Sequence, residues 1–276
     1  MTRTGPGQWD PRKWLAAAGV AGVLLLAVAG CASRSGGDAG APHDIVTESD
    51  EPELRKRARI RMELAVGYFE HGQTNVALDE LKQVIASDPS FPDAYNLRGL
   101  IYMRLNDMRQ AEDSFRRAVA LNPRDPNVQH NYGWLLCQQN RHEEAQRAFD
   151  VAMSNAVYTG RAKTLMAQGV CQARAGRTDD AERSLARSYE LDAGNPVTGY
   201  NLANLLYRRG DYVRAQFYIR RLNNTELANS ESLWLGIKVE RRLNDEVAMN
   251  QLGEQLKKRF GRSREAAAYE RRAFDE

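Results

Sequence analysis

Cys31 is the residue of this 276-residue chain whose position most directly predicts chemistry. The basic pair Arg12-Lys13 precedes an apolar run from Trp14 to Ala29, and Gly30 and Cys31 follow that run. A basic segment, an apolar segment and small residues before a cut make a secretory signal peptide, and a cysteine directly after the cut offers its thiol for lipid attachment. The sequence therefore predicts a signal peptide over residues 1–30 and a mature chain that begins at a lipidated Cys31.

The alternative is that this apolar run crosses a membrane as a helix. At ~1.5 Å per residue it would extend about 24 Å, which is shorter than the ~30 Å hydrocarbon core of a bilayer. The segment instead resembles the signal of bacterial lipoproteins, which carry more than one acyl chain, and two or more chains anchor a protein stably. In that class, an Asp directly after the lipidated cysteine tends to keep the lipoprotein in the inner membrane, and this chain has Ala32 at that position. By resemblance, the protein is expected at the periplasmic face of the outer membrane.

The other reactive residues form no recognisable catalytic or metal-binding pattern. The histidines have no spacing that places two on one turn of a helix, and no HExxH or CxxC pattern occurs: His43, His71, His130 and His142. The sequence therefore predicts no enzyme activity, no cofactor and no metal. His43 and His142 are expected to be exposed and without a role.

Cys137 and Cys171 both lie in apolar helical stretches, where a free cysteine behaves as a small hydrophobic residue. The oxidising compartment predicted by the signal peptide also permits a disulfide. We expect two buried thiols.

The charge balance excludes a strongly basic protein. Residues 1–30 hold three basic residues and one acidic residue, so their removal lowers the formal charge from +3 to +1. A near-neutral chain lacks the excess of basic residues that is typical of nucleic-acid-binding proteins. The basic runs over 55–61 and 257–264 are interpreted as solvated helix faces, with a contact to anionic lipid headgroups as the alternative.

Residues 31–52 consist largely of Ser, Gly, Ala, Asp and Pro and offer almost nothing to bury, so they predict a disordered tether. A flexible chain of about 22 residues has a root-mean-square reach of roughly 25 Å. The folded part, residues 53–276, is therefore expected to stay near the membrane without inserting into it.

A repeat of about 34 residues organises the chain after the tether. One small residue recurs in the middle of a helical pattern: Ala65, Gly99, Gly133, Gly169, Ala203 and Gly236. A second series keeps the same steps, each member 12 residues after a member of the first: Ala77, Ala111, Ala145, Ala181, Ala215 and Ala248. Small residues let helix backbones approach closely, and large apolar residues follow one turn after the second series: Leu81, Phe115, Phe149, Leu185, Ile219 and Leu252.

Helix-ending residues lie between the two series at one phase of the repeat: Gly72, Asn106, Asn140, Gly176 and Gly210. Gly and Asn tolerate the left-handed conformation that ends many helices. Every proline after Pro52 lies at a junction between repeats. The pattern thus predicts two uninterrupted helices in each repeat.

These features resemble the tetratricopeptide repeat, a helix-turn-helix unit of 34 residues. The resemblance is carried by the run from Tyr95 to Tyr102, then Ala111, Phe115, Ala118 and Asn122-Pro123. It implies an all-α, right-handed superhelical solenoid of about six repeats, over residues 58–91, 92–125, 126–159, 162–195, 196–228 and 229–262, with a capping helix over 263–275. Arg98 and Gln168 depart from the apolar residues usual in the family. The two extra residues before repeat 4 are expected to bend the stack. Whether they also form a hinge is left undecided at this point.

In the tetratricopeptide family the first helix of each repeat lines a concave binding face. By that resemblance the inward residues are Met62, Val66 and Phe69; Leu100 and Met103; His130, Trp134 and Cys137; Met166 and Val170; Tyr200, Asn204 and Tyr207; and Leu233 and Ile237. For Val66, Cys137 and Val170, packing between repeats is an equal alternative. The partner-binding set is predicted to be Met62, Phe69, Leu100, Met103, His130, Trp134, Tyr200, Asn204 and Tyr207. Such an apolar, aromatic groove is typical of a site for a protein partner.

The lipid signal, tether and six repeats together resemble the PilF/PilW family of type IV pilus biogenesis lipoproteins. The most specific segments are Asn131-Tyr132-Gly133, the run from Asn204 to Tyr207, and the run from Ser232 to Lys238. The resemblance implies a pilotin, a lipoprotein that binds the secretin subunit of the pilus pore, brings it to the outer membrane and promotes its assembly into a multimer.

Two other functions remain open at this point. One is a scaffold for general outer-membrane protein assembly or envelope maintenance. The other is a cell-wall factor that binds peptidoglycan or its synthases, although a groove rich in Asn, Gln and Glu would suit that role better. The sequence does not decide which repeats contact the partner or whether the protein self-associates.

Overall fold

The computed structural model describes residues 53–274, and within that range every regular element is an α-helix. The predictions for the signal peptide, Cys31 and the tether lie outside the described residues. The helices are α1 (Glu53–Glu70), α2 (Thr74–Ser87), α3 (Pro92–Arg104), α4 (Met108–Leu121), α5 (Pro126–Gln138), α6 (His142–Ser154), α7 (Arg161–Arg174), α8 (Thr178–Leu191), α9 (Pro196–Arg208), α10 (Tyr212–Asn223), α11 (Ser230–Arg242), α12 (Glu246–Phe260) and α13 (Arg264–Glu270).

The helices pair in order along the chain, so that α1 with α2 forms repeat 1 and α11 with α12 forms repeat 6. The second helix of each repeat also contacts the first helix of the next. This arrangement confirms the predicted all-α solenoid of six helical hairpins. None of the described helices is long and apolar enough to cross a membrane.

The small residues of the first series pack against the large residues that follow the second series. A Cβ atom built on Gly99 would lie 2.7 Å from the ring of Phe115, and one on Gly133 would lie 2.8 Å from the ring of Phe149. Both phenylalanines are fully buried. The coupling of the two series therefore has a direct cause, because the ring of the second helix occupies the space that a side chain on the first would fill.

The turn inside each hairpin ends in the left-handed region. Asn106 has a φ of 61° and Gly210 a φ of 83°, and Gly72, Asn140 and Gly176 share this conformation as the repeat pattern predicts. Asn244 adds a sixth member with a φ of 60°. Prolines occupy the first turn of α3, α5 and α9, where the missing N–H leaves no hydrogen bond unmade.

The two extra residues before repeat 4 belong to the loop between α6 and α7, which carries Tyr158 into the interior. The Tyr158 hydroxyl lies 3.0 Å from Oγ1 of Thr164, and that oxygen lies 2.9 Å from Nδ1 of His130. All three side chains are buried. The insertion thus fills the junction of repeats 3 and 4 with a hydrogen-bonded polar chain, which opposes a hinge at this point.

The solenoid ends in α13, as the sequence predicts. The ring of Phe274, after this helix, stacks on Trp234 of α11 with centroids 5.6 Å apart. The guanidinium carbon of Arg241 lies 4.5 Å from the centroid of the Phe274 ring. Ala266 and Ala268 of α13 are buried in the same cluster. The last hairpin is therefore covered by chain that belongs to no repeat.

Candidate partner-binding groove

The first helices of the repeats form one continuous face. Each of α1, α3, α5, α7 and α9 contacts the first helix of the following repeat. Eight of the nine predicted partner-binding residues lie on these helices with half-buried side chains: Met62, Phe69, Leu100, Met103, Trp134, Tyr200, Asn204 and Tyr207. We call this set the groove face. Half-burial leaves part of each side chain in contact with solvent and part packed against the adjoining core.

Phe69 shows how the groove face is held between repeats. The guanidinium carbon of Arg104, one repeat further on, lies 4.0 Å from the centroid of the Phe69 ring. Nη1 of Arg104 also donates a hydrogen bond of 2.8 Å to the carbonyl oxygen of Phe69. The cation therefore satisfies the C-terminal end of α1 and covers one face of the ring.

Trp134 and Tyr207 repeat the contact between ring and cation. The guanidinium carbon of Arg174 lies 5.4 Å from the Trp134 ring centroid, and Nζ of Lys238 lies 5.6 Å from that of Tyr207. In both cases the cation comes from the first helix of the next repeat. The predicted apolar, aromatic lining is thus incomplete, because cationic side chains lie beside the aromatic rings.

Tyr200 and Asn204 add polar atoms one helical turn apart on α9. Burial raises the pKa of the Tyr200 phenol above its ordinary value of 10.0. Its hydroxyl is protonated at neutral pH, as a tyrosine normally is, and can donate a hydrogen bond. Within the described residues, the Asn204 amide makes no hydrogen bond to another group, and its side chain is half-buried. A partner segment in the groove face would meet both groups together.

His130 does not belong to the groove face. Its side chain is only 5% exposed and bonds Thr164, so it is not available to a partner. Burial, with a smaller contribution from the positive charge of Lys163, lowers the pKa of His130 to about 4. Cys137, Leu233 and Ile237 from the wider inward set are also buried. His130, Leu233 and Ile237 were misassigned because helical phase alone does not tell a lining position from a packing position. For Cys137, the burial agrees with the alternative of packing between repeats.

Cys137 and Cys171 form a disulfide, which corrects the expectation of two buried thiols. Their Cα atoms lie 5.7 Å apart on α5 and α7, a separation typical of such bonds. His142 is also not a bystander. It is half-buried, and its Nδ1 lies 3.5 Å from Sγ of Cys171.

The cations of the groove face were not predicted from the sequence. A signal exists for two of them, Arg104 and Arg174. Arginine stands five residues after the small residue of the first series in four repeats, at Arg104, Arg174, Arg208 and Arg241, whereas Lys238 stands only two residues after Gly236. Arginine in the last turn of a helix is also expected from the helix dipole. The pattern alone therefore could not separate helix ending from recognition.

An open depression of about 1150 Å³ lies at the C-terminal end of the solenoid, outside the groove face. Its lining mixes charged and aromatic side chains, including Arg242, Lys257, Tyr269 and Glu270. Such a wide polar hollow does not enclose a small molecule as ligand pockets do.

Profiles of the tetratricopeptide repeat match residues 62–126, 102–169 and 172–233, which together cover more than half of the chain. Among curated proteins, the type IV pilus assembly protein PilF of Pseudomonas aeruginosa is 27% identical over 240 residues, which is 86% of this chain and 92% of PilF.

Two solved structures are also similar. The crystal structure of PilW, described as a widely conserved type IV pilus biogenesis factor, superposes with a TM-score of 0.73 at 28% identity and covers 77% of this chain and 97% of PilW. A structure of Pseudomonas aeruginosa PilF gives a TM-score of 0.72 at 25% identity over 80% of this chain and all of that chain.

Proposed function

The chain belongs to the tetratricopeptide repeat family and is homologous to the type IV pilus biogenesis proteins PilF and PilW, and from this premise we propose that it is a pilotin. In this role it binds the secretin subunit of the pilus pore, carries it to the outer membrane and promotes its assembly into a multimer. The function is one of binding and placement and not of catalysis.

The observation that carries the proposal is the groove face. Phe69, Trp134 and Tyr207 present half-buried rings along successive first helices, and each ring is paired with a cation. Aromatic and arginine side chains are the residues that dominate binding energy at protein interfaces. A secretin segment in extended or helical form would place its own apolar side chains against the rings.

The lipid anchor and the groove face have separate tasks in this proposal. Lipid on Cys31 fixes the location of the protein at the periplasmic face of the outer membrane. The groove face holds the secretin subunit, which would otherwise expose aggregation-prone surface before it joins the ring. Neither task requires the chain to change the partner covalently.

The first test replaces Cys31 with Ala. The repeats should still fold, because the core of residues 53–274 is built from side chains of the repeats themselves, but the protein should no longer fractionate with the outer membrane. Secretin should then fail to reach that membrane as a multimer. Normal secretin multimers in this variant would contradict the pilotin role.

The second test places a photo-crosslinking amino acid at Trp134 or Tyr207 in cells that make pili. Phe217 is the matched control, since it is aromatic and 58% exposed but lies on α10, the second helix of repeat 5. Secretin should be captured from the two groove positions and not from Phe217. Capture of barrel-assembly subunits in place of secretin would favour the general scaffold instead.

A further inference from the structure

Cys137, His142 and Cys171 meet at the junction of repeats 3 and 4, although each belongs to a different helix. Cys137 lies on α5, His142 begins α6 and Cys171 lies on α7. The two sulfur atoms and a ring nitrogen of His142 all lie within 4.8 Å of one another. Cys137 and Cys171 are buried and His142 is half-buried, so the cluster has one side that solvent can reach.

These three side chains are the ligand types that zinc prefers. In a tetrahedral zinc site, bond lengths of ~2.3 Å to sulfur and ~2.0–2.1 Å to nitrogen put a sulfur and a nitrogen ligand about 3.6 Å apart. The distance from Nδ1 of His142 to Sγ of Cys171 is 3.5 Å. The separation of the imidazole from Cys171 therefore already matches that of two ligands of one zinc ion. The two sulfur atoms, now bonded to each other, must separate to about 3.8 Å.

We propose that the protein with its Cys137–Cys171 bond reduced binds one zinc ion through the two sulfur atoms and Nδ1 of His142, with water in the fourth position. The reduction is a thiol–disulfide exchange with a dithiol. One thiolate of the reductant attacks a sulfur atom of the Cys137–Cys171 bond and forms a mixed disulfide with that cysteine. The second thiol of the reductant then breaks the mixed disulfide and releases the cysteine. Cys137 and Cys171 thereby gain two electrons and two protons, and the dithiol becomes a disulfide. Zinc then replaces the two thiol protons.

The consequence is that the junction of repeats 3 and 4 has two mutually exclusive cross-links. The disulfide joins α5 to α7 directly, whereas the metal would join α5, α6 and α7 together. A chain exported in the reduced form would thus be held at this junction before its disulfide forms. This inference is independent of the pilotin role, since it concerns only residues inside the solenoid.

The test is a cobalt titration of the purified full-length chain in detergent, with Cys31 replaced by Ser so that only two thiols remain. The chain is reduced with a phosphine, which is then removed under anaerobic conditions. The reduced chain should bind one equivalent of Co²⁺ with a sulfur-to-cobalt charge-transfer band, zinc should displace the cobalt, and the oxidised chain should give no band.

His142→Gln should weaken cobalt binding at least about tenfold. Loss of a group that only hydrogen-bonds to a metal ligand already lowers metal affinity by about 10–100-fold. His71→Gln is the matched control, because His71 is exposed, lies outside this cluster and bonds the carbonyl oxygen of Gly67 one helical turn earlier. Circular dichroism establishes that both variants keep their helices. A reduced chain that gives no charge-transfer band, or a His142→Gln chain that binds as tightly as the control, would overturn the proposal.

Discussion

At the residue scale, the space above Gly99 is filled by the ring of Phe115, and this pairing makes glycine necessary there. We expect Gly99→Ala to lower the free energy of unfolding by about 1–3 kcal/mol, because the buried ring cannot withdraw from the new methyl group. Gly67 lies in the interior of α1 with open space where its Cβ would be. Gly67→Ala should instead raise stability by up to about 1 kcal/mol. Both changes are measured by urea unfolding followed by circular dichroism.

The structure also supplies a rescue for this substitution. Repeats 1 and 5 combine alanine at the small position with Leu81 or Ile219 opposite, whereas Gly99 faces a phenylalanine. Adding Phe115→Leu should therefore recover part of the stability lost in Gly99→Ala. If the double variant is no more stable than the sum of the two single changes predicts, the ring contact is not the cause.

His130 makes stability depend on pH at the same scale. Its folded pKa of about 4 lies below the ordinary value of 6.5, so the unfolded chain binds a proton between these two values and the folded chain does not. The stability contributed by neutral His130 is complete above pH 6.5 and is lost as the pH falls toward 4. Between pH 7 and 5 the expected loss is about 2 kcal/mol.

The measurement is urea unfolding of the wild-type chain and of His130→Gln at both pH values. The variant has no imidazole to protonate at this position. Between pH 7 and 5 its free energy of unfolding should therefore fall by about 2 kcal/mol less than that of the wild type. An equal fall in both proteins would show that His130 is protonated in the folded state or reached by water.

At the element scale, the Cys137–Cys171 bond restrains two helices that belong to different hairpins. The bond closes a loop with a sequence separation of 34, for which the chain-entropy relation gives about 3–4 kcal/mol. A chain with Cys137→Ser and Cys171→Ser should have a lower Tm than the oxidised wild type. In the presence of a chelator, reductant should lower the Tm of the wild type but leave that of the variant unchanged. A Tm that does not respond to reductant in either chain would contradict a stabilising bond.

Elements were more predictable from the sequence than contacts between them. The helices and their turns follow from short-range patterns, so the positions of Asn106 and Gly210 in the left-handed region were found from the repeat phase alone. Arg104 on Phe69 and His130 beside Thr164 join residues about one repeat apart. Such pairs depend on the rotation between successive hairpins, which periodicity does not specify. The sequence therefore placed eight of the nine residues half-buried on the first helices, but it missed the neighbouring cations and included one buried histidine. Their role in partner binding stays a prediction.

At the scale of the whole molecule, the two ends of the described solenoid differ. In repeat 1, Leu54 is 62% exposed, and Ile60 and Leu64 are each 48% exposed. In repeat 6, Leu256 and Ile237 are fully buried beneath α13 and its following residues. Solenoid ends need a polar cover for solubility, and in residues 53–274 only the C-terminal end has a helix outside the repeats. Loss of the C-terminal cap should therefore expose the apolar residues of repeat 6 that it covers.

Phe274 tests this cap, because its ring stacks on Trp234 and lies beneath Arg241. We expect Phe274→Ala to destabilise the chain by about 1–3 kcal/mol through lost burial and stacking. Since Trp9 and Trp14 lie in the predicted signal peptide, a chain without residues 1–30 and with Trp134→Phe reports on Trp234 alone. In that chain Phe274→Ala should shift the fluorescence of Trp234 to longer wavelength and increase its quenching by acrylamide. Phe217→Ala is the control, and equal fluorescence in both variants would mean that the ring does not shield Trp234.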